Sequence, residues 1–175
     1  MAYYPSLYAQ NDLEESVTIV GGVTVGAGHP PRYEELEKRA SYDTSEPVAL
    51  YSFGPTKPAR LGDLVLARSG DKGSNLNVGF FVQTPEQWSW FKSFFSLGKF
   101  KELMGEDWRD DYWLERVEFR NIYAVHFVIY GILGRGVSGS TRLDSLGKAF
   151  ADFMRDKVVD VPVKFLQEEG GGPKL

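Results

Sequence analysis

The stretch "NVGFFVQTPEQWSWF", residues 77–91, contains a change of period on which the fold turns. Residues 77–82 read as a strand. Thr84-Pro85-Glu86-Gln87 then has the form of a capping box, with a hydroxyl at the N-cap, proline at the first helical position and an amide reaching back from the third. A helix is predicted from there to Met104, in two pieces because Gly98 interrupts the apolar spacing. Working outward, residues 112–119 follow as a strand. In "NIYAVHFVIYGIL" (121–133), Val125, Phe127 and Ile129 alternate with Ala124, His126, Val128 and Tyr130, and both sets are apolar enough for a central strand buried on two faces. Leu146, Ala149, Phe150, Phe153 and Met154 fall at helical spacing behind an Asp144 cap, and "VVDVPVKFL" (158–166) closes as a strand. Strand, helix, strand, strand, helix, strand is the order of an α+β, ferredoxin-like βαββαβ sandwich. Residues 61–67 alternate as an extra N-terminal strand in front of it.

The leading residues differ in texture. "SVTIVGGVTVGAG" (16–28) reads as strand with glycine breaks, "HPPRYEELEKRA" (29–40) as a short helix started by Pro30-Pro31, and "YDTSEPVALYSFGPTKPAR" (42–60) as a linker or surface-hugging arm. The expected organisation is an extended arm over 1–60, a domain over 61–166 and a disordered tail over 167–175.

At 175 residues and 42% hydrophobic, one sizeable core is expected. Net charge is −4, which gives no general attraction to nucleic acid or anionic membranes. There is no cysteine, which removes disulfides, thiolate nucleophiles and cysteine-based zinc sites and fits an intracellular compartment. No segment approaches the roughly 18 unbroken apolar residues of a membrane span, and the first residues lack the pattern of a signal peptide. A soluble, cytoplasmic protein is the expectation. Aromatics make up 14%, and "WSWFKSFF" (88–95) gathers many of them, as in a core or a subunit interface.

Two polar, glycine-rich interruptions leave strands. "LARSGDKGSNLNVGF" (66–80) carries Arg68, Ser69, Asp71, Lys72, Ser74 and Asn77; "GRGVSGSTRLD" (134–144), with Lys148 beyond it, carries Arg135, Ser138, Ser140, Arg142 and Asp144. Glycines let backbone approach a ligand, and exposed amides beside Arg or Lys suit a phosphate or carboxylate. The same residue types also make an ordinary turn, with Gly70 and Gly73 bending a hairpin and Lys72 solvated. Gly134-Arg135-Gly136-Val137-Ser138-Gly139 spells GxGxxG, but Ser140-Thr141-Arg142-Leu143 intervene before the helix cap, so no dinucleotide cofactor is expected. Neither histidine suggests a metal site: His29 precedes two prolines, His126 lies within a strand, and Asp71 and Asp144 are too few for an oxygen-ligand site. "GEDWRDDYWLER" (105–116) reads as a solvated acidic loop.

"ARSGDKGSNLNVG" followed by "VHFVIYGILGRGVSGSTRLDSLGKAF" resembles the C-terminal domain of the acyclic terpene utilisation (AtuA-like) family. Its first motif falls on Arg68, Ser69, Gly70, Asp71, Lys72, Gly73, Asn77 and Gly79, and its second on Gly134, Gly136, Ser138, Ser140, Arg142, Asp144, Gly147 and Lys148. His126 stands where bacterial relatives show Asn. The leading segment resembles the end of the larger N-terminal domain that precedes this one in fungal members. The resemblance implies a ferredoxin-like fold and a link to the catabolism of branched, isoprenoid acids as acyl-CoA thioesters.

It also implies roles. Asp71 and Lys72 are catalytic candidates, Asp71 orienting a base and Lys72 neutralising an anion; His126, a departure from the family pattern, is a third candidate on its residue type alone. Arg68, Ser69, Ser74, Asn77, Ser138, Ser140, Arg142, Asp144 and Lys148 join Asp71 and Lys72 as ligand contacts, with Arg142 and Lys148 meeting a carboxylate or a CoA phosphate. A structural alternative is an Asp144–Arg68 pair clasping the two segments. The leading expectation is an accessory or ligand-contacting domain with a small anionic ligand; the rival is a homo-oligomerisation module built on the sheet edge or the aromatic helix around Trp88 and Phe91. The partners expected are that ligand, further copies of the chain and the family's N-terminal domain.

Overall fold

The computed structural model describes residues 8–30, 32–34, 37 and 39–166. Two compact units divide between Lys38 and Arg39. In the first, β1 (Ser16–Thr18) and β2 (Thr24–Gly26) form an antiparallel ribbon. Its turn carries Gly21 at φ 78° and closes with Gly22 N–H donating to Ile19 O at 2.8 Å. The described residues of 29–40 are not helical, and the remainder of that expected helix, like the tail at 167–175, lies outside the described residues.

In the second unit the extra N-terminal strand resolves into two. Thr56–Arg60 is β3 and Leu66–Lys72 is β4, joined by a 3₁₀ turn over Leu61–Asp63. The apolar alternation expected from residue 61 belongs to that turn: Leu61 and Val65, four apart, are both fully buried, and Asp63 closes the turn by accepting Arg60 N–H at 3.0 Å. Then come β5 (Asn75–Phe81), α1 (Pro85–Phe94), α2 (Leu97–Met104), β6 (Trp113–Phe119), β7 (Ala124–Tyr130), α3 (Phe150–Arg155), β8 (Val158–Pro162) and α4 (Val163–Leu166).

The main sheet is antiparallel in the order β4-β5-β7-β6, with α-helices on one face: an α+β fold consistent with a ferredoxin-like domain. Strand β4 holds the edge beside β5, and β8 pairs instead with β3 in a separate ribbon. The two-residue turn Gly73–Ser74 makes the β4–β5 pairing local, with Gly73 at φ 67° in the first central position, where glycine suits a type II′ hairpin. Closing so short a loop costs little chain entropy compared with bringing in a strand from residue 158.

The capping box forms as read. Thr84 Oγ1 accepts Gln87 N–H at 3.2 Å, and Gln87 Oε1 accepts Thr84 N–H at 3.2 Å. The helix does divide, but at Phe95–Ser96. Ser96 caps α2 by accepting Lys99 N–H at 3.1 Å, and Gly98 sits inside that helix. The aromatic run makes the core: Phe80 and Phe95 meet edge to face at 4.8 Å, and Phe100 stacks on Phe127 at 4.2 Å. Trp88 and Phe91 are buried in the same cluster within the one chain. No helix among the described residues is long and apolar enough to cross a membrane.

Candidate functional site

Strand geometry sorts the first motif. The β4–β5 hairpin is strand up to Lys72 and again from Asn75, so successive side chains alternate between sheet faces. Ser69 and Asp71 pair with Val78 and Leu76 on the helix-covered face. Arg68, Gly70 and Lys72 pair with Gly79, Asn77 and Asn75 on the opposite face, where His126 also lies. The catalytic candidates are therefore divided: Asp71 is on one side, Lys72 and His126 on the other. Lys72 Nζ donates to the backbone oxygen of Asp71 at 3.1 Å, not to its carboxylate.

The two motif segments meet along their length. Leu133 N–H donates to Ser74 O at 2.9 Å, and Gly131 N–H to Asn75 Oδ1 at 3.0 Å. Ser69 Oγ accepts Ala151 N–H at 2.9 Å and donates to Lys148 O at 3.3 Å. Glycine is required at two of the contacts. A Cβ on Gly136 would stand 3.2 Å from Gly73 O, and one on Gly147 would stand 2.6 Å from Leu76 Cδ1; both residues also have positive φ, 79° and 60°.

Residues 131–149 are turns, and α3 begins only at Phe150, so the GxGxxG glycines present no helix N-terminus. The helix expected from residue 146 is shorter for the same reason: Asp144 caps, accepting Lys148 N–H at 2.9 Å and Ala149 N–H at 3.1 Å, but it closes a turn ahead of the helix. That engagement stands in place of the alternative Asp144–Arg68 clasp. The segments are joined through Ser69 and Asn75, and Arg68 lies on the far face of β4.

Beside this junction is a cavity of about 540 Å³. Leu76, Met104, Ile132, Leu133, Phe150 and Phe153 supply apolar lining, and Arg142, Asp107 and Asp144 the charged part. Arg142 is held at the cavity by donating from Nη2 to the Tyr112 hydroxyl at 3.2 Å, and its own N–H donates to Ser140 Oγ at 3.2 Å. Of the expected ligand contacts, Arg142 and Asp144 line the cavity; Ser138 and Lys148 are exposed outside its lining, and Ser74 Oγ bonds Asn75 Oδ1 at 3.2 Å.

The opposite face holds a second polar group. His126 Nε2 is 3.5 Å from Asn77 Nδ2. Burial holds the imidazole below its ordinary value near 6.5; the Glu115 charge pulls it back up, while Arg39 and Lys72 push it further down. Glu115 is 1% exposed, accepts the Tyr130 hydroxyl at 2.9 Å and lies 3.2 Å from Arg39 Nε. Burial, followed by the bond to Glu115 and its charge, raises the Tyr130 phenol above its usual value, with Arg39 opposing.

Sequence reading missed Glu115 and Arg116, taken with the acidic loop as solvated; both are buried in β6. The available signal was that both fall within the residues read as strand, 112–119, adjacent and so one on each face. Among the described residues no group of three or more His, Asp or Glu is placed to hold a metal ion.

The family model described as AtuA ferredoxin-like domain matches residues 59–160, more than half of the chain. No curated protein and no solved structure matches it.

Proposed function

The chain belongs to the AtuA ferredoxin-like domain family, and on that footing we propose that it is a ligand-contacting domain of an AtuA-like metabolic protein. The ligand class is an acid with a branched apolar body, free or as its acyl-CoA thioester. The observation that carries this reading is the cavity beside the joined motif segments, whose apolar lining is interrupted by a single cation, Arg142, and by the carboxylates of Asp107 and Asp144. Its volume of about 540 Å³ falls within the usual range for small-molecule sites. Apolar burial supplies affinity there, and a positioned guanidinium selects a carboxylate or a phosphate of the CoA moiety. Asp144 is engaged with backbone amides, and Arg142, the cation of the lining, is the anion contact.

The test is thermal shift with 3-methylbutanoate and its CoA thioester, on the natural chain and on Arg142→Ala. Ligand at about 100 times its Kd adds about 2.7 kcal/mol of stability by mass action, and Arg142→Ala removes most of that gain. No shift with either compound, or an undiminished shift in Arg142→Ala, overturns the proposal.

A further inference from the structure

The helix-free face of the sheet carries a cluster that the cavity does not use. Arg68, Gly79 and His126 lie on one rung across β4, β5 and β7. The Arg68 and His126 backbones are thus two strand spacings apart, about 10 Å, with only a glycine between them. Gly70 bares the next rung of β4. A Cβ there would meet nothing nearer than Asn77 Oδ1 at 3.9 Å, and one on Gly79 nothing nearer than His126 Cδ2 at 3.7 Å. Glycine inside a strand commonly marks a place where a ligand approaches backbone.

Around this bare patch stand Arg68 and Lys72, both exposed, with the Asn77 amide and the half-buried His126 imidazole. Behind them Glu115 is buried and balanced by Arg39, and its second oxygen accepts the Tyr130 hydroxyl. Glu115 pairs across from Val128 and His126 from Val117, so the two are diagonal neighbours on this face. Arg39 already pairs with the buried carboxylate, so the exposed charge of the patch is that of Arg68 and Lys72 and is complementary to a negative ligand.

We propose that this face is a second binding site, for a small oxyanion, in which Arg68 and Lys72 pair with the ligand's charge while His126 and Asn77 hydrogen-bond its oxygens across the Gly70–Gly79 gap. A carboxylate and a phosphate present the same chemistry here. The site is distinct from the Arg142 cavity: β4 alternation places its residues on the other side of the sheet from Ser69, Asp71 and Leu76.

The chain has only two histidines, so imidazole NMR reads the site directly, with His29 as internal control. Sodium phosphate and sodium acetate are titrated separately against sodium chloride at matched ionic strength. A bound anion favours the imidazolium, so the His126 midpoint rises while His29 follows the chloride control. Arg68→Ala and Lys72→Ala each weaken the response about tenfold, the scale of one charge-assisted hydrogen bond. Both residues are exposed, and melting curves confirm that the variants fold. Arg142→Ala leaves the response unchanged, which keeps this site separable from the cavity. A larger response to phosphate or to acetate assigns the ligand's source. No His126 response to either anion, an equal response in Arg68→Ala and Lys72→Ala, or loss of the response in Arg142→Ala overturns the proposal.

Discussion

Replacing Arg116 is expected to be the most damaging single change in the sheet domain. Its side chain is fully buried on the helix-covered face of β6. A guanidinium has five N–H donors, and four are engaged here: Nε with Phe95 O at 2.9 Å, Nη1 with Tyr42 O at 2.9 Å and with Glu118 Oε1 at 3.0 Å, and Nη2 with Lys92 O at 2.8 Å. Two of these oxygens belong to the end of α1, where carbonyls lack helical partners and a cation complements the dipole. A third belongs to the segment over 41–43, which Ser41 also fastens to the edge of β6 by accepting Arg116 N–H at 3.1 Å. Arg116→Met keeps the apolar stem but leaves the Glu118 carboxylate, itself 2% exposed, without its close partner. Breaking a buried pair in this way costs about 3–5 kcal/mol, a large share of the roughly 5–15 kcal/mol that stabilises a domain. Urea unfolding at neutral pH measures the loss. Arg116→Met/Glu118→Gln, which removes the stranded charge, is expected to recover part of it, and the coupling is read from the double-mutant cycle. A cost below about 1 kcal/mol for Arg116→Met, in the range of an exposed pair, would refute the reasoning.

Two further outcomes are expected. Gly147→Ala places a methyl 2.6 Å from Leu76 Cδ1 at φ 60°, whereas Gly134→Ala, at φ 65°, meets nothing within 4 Å. The first is expected to cost about 2–4 kcal/mol and the second about 1 kcal/mol in urea unfolding, because both carry left-handed strain but only one overpacks the junction. For His126, the folded value lies below the unfolded value near 6.5, so the unfolded chain binds more protons in that interval. Its contribution to stability is complete above about pH 6.5 and falls as pH drops through the folded value. Urea midpoints at pH 7.5 and 5.5 should therefore differ less in His126→Asn than in the natural chain; equal differences would remove His126 as the cause.

Much of the secondary structure was legible because it rests on neighbours a few residues apart. The α1 capping box involves residues 84–87 alone, and β6 and β7 declare themselves by alternation. The first motif was harder. Its glycines and hydroxyls read as a loop, yet β4 runs through Lys72, because β5 lies two residues away and pairs with the strand along its whole length. Residues grouped in sequence as one binding loop consequently face opposite sides of the sheet. Arg142, expected as a ligand contact, lines the cavity, but Tyr112, which orients it, comes from thirty residues earlier and carried no local mark.

From sequence alone came the element order, the aromatic core, the start of α1, and the kinship of the two glycine-rich motifs. Each depends on periodicity, on capping chemistry within one turn, or on residue identity at fixed spacing. Tertiary structure alone decided that β4 takes the edge beside β5 while β8 joins β3, that Ser69 and Asp71 part company with Arg68 and Lys72, and that Arg116 and Glu115 are buried charges with partners. Those outcomes depend on which distant backbone arrives to complete hydrogen bonds and exclude water, and no local pattern of side chains encodes that.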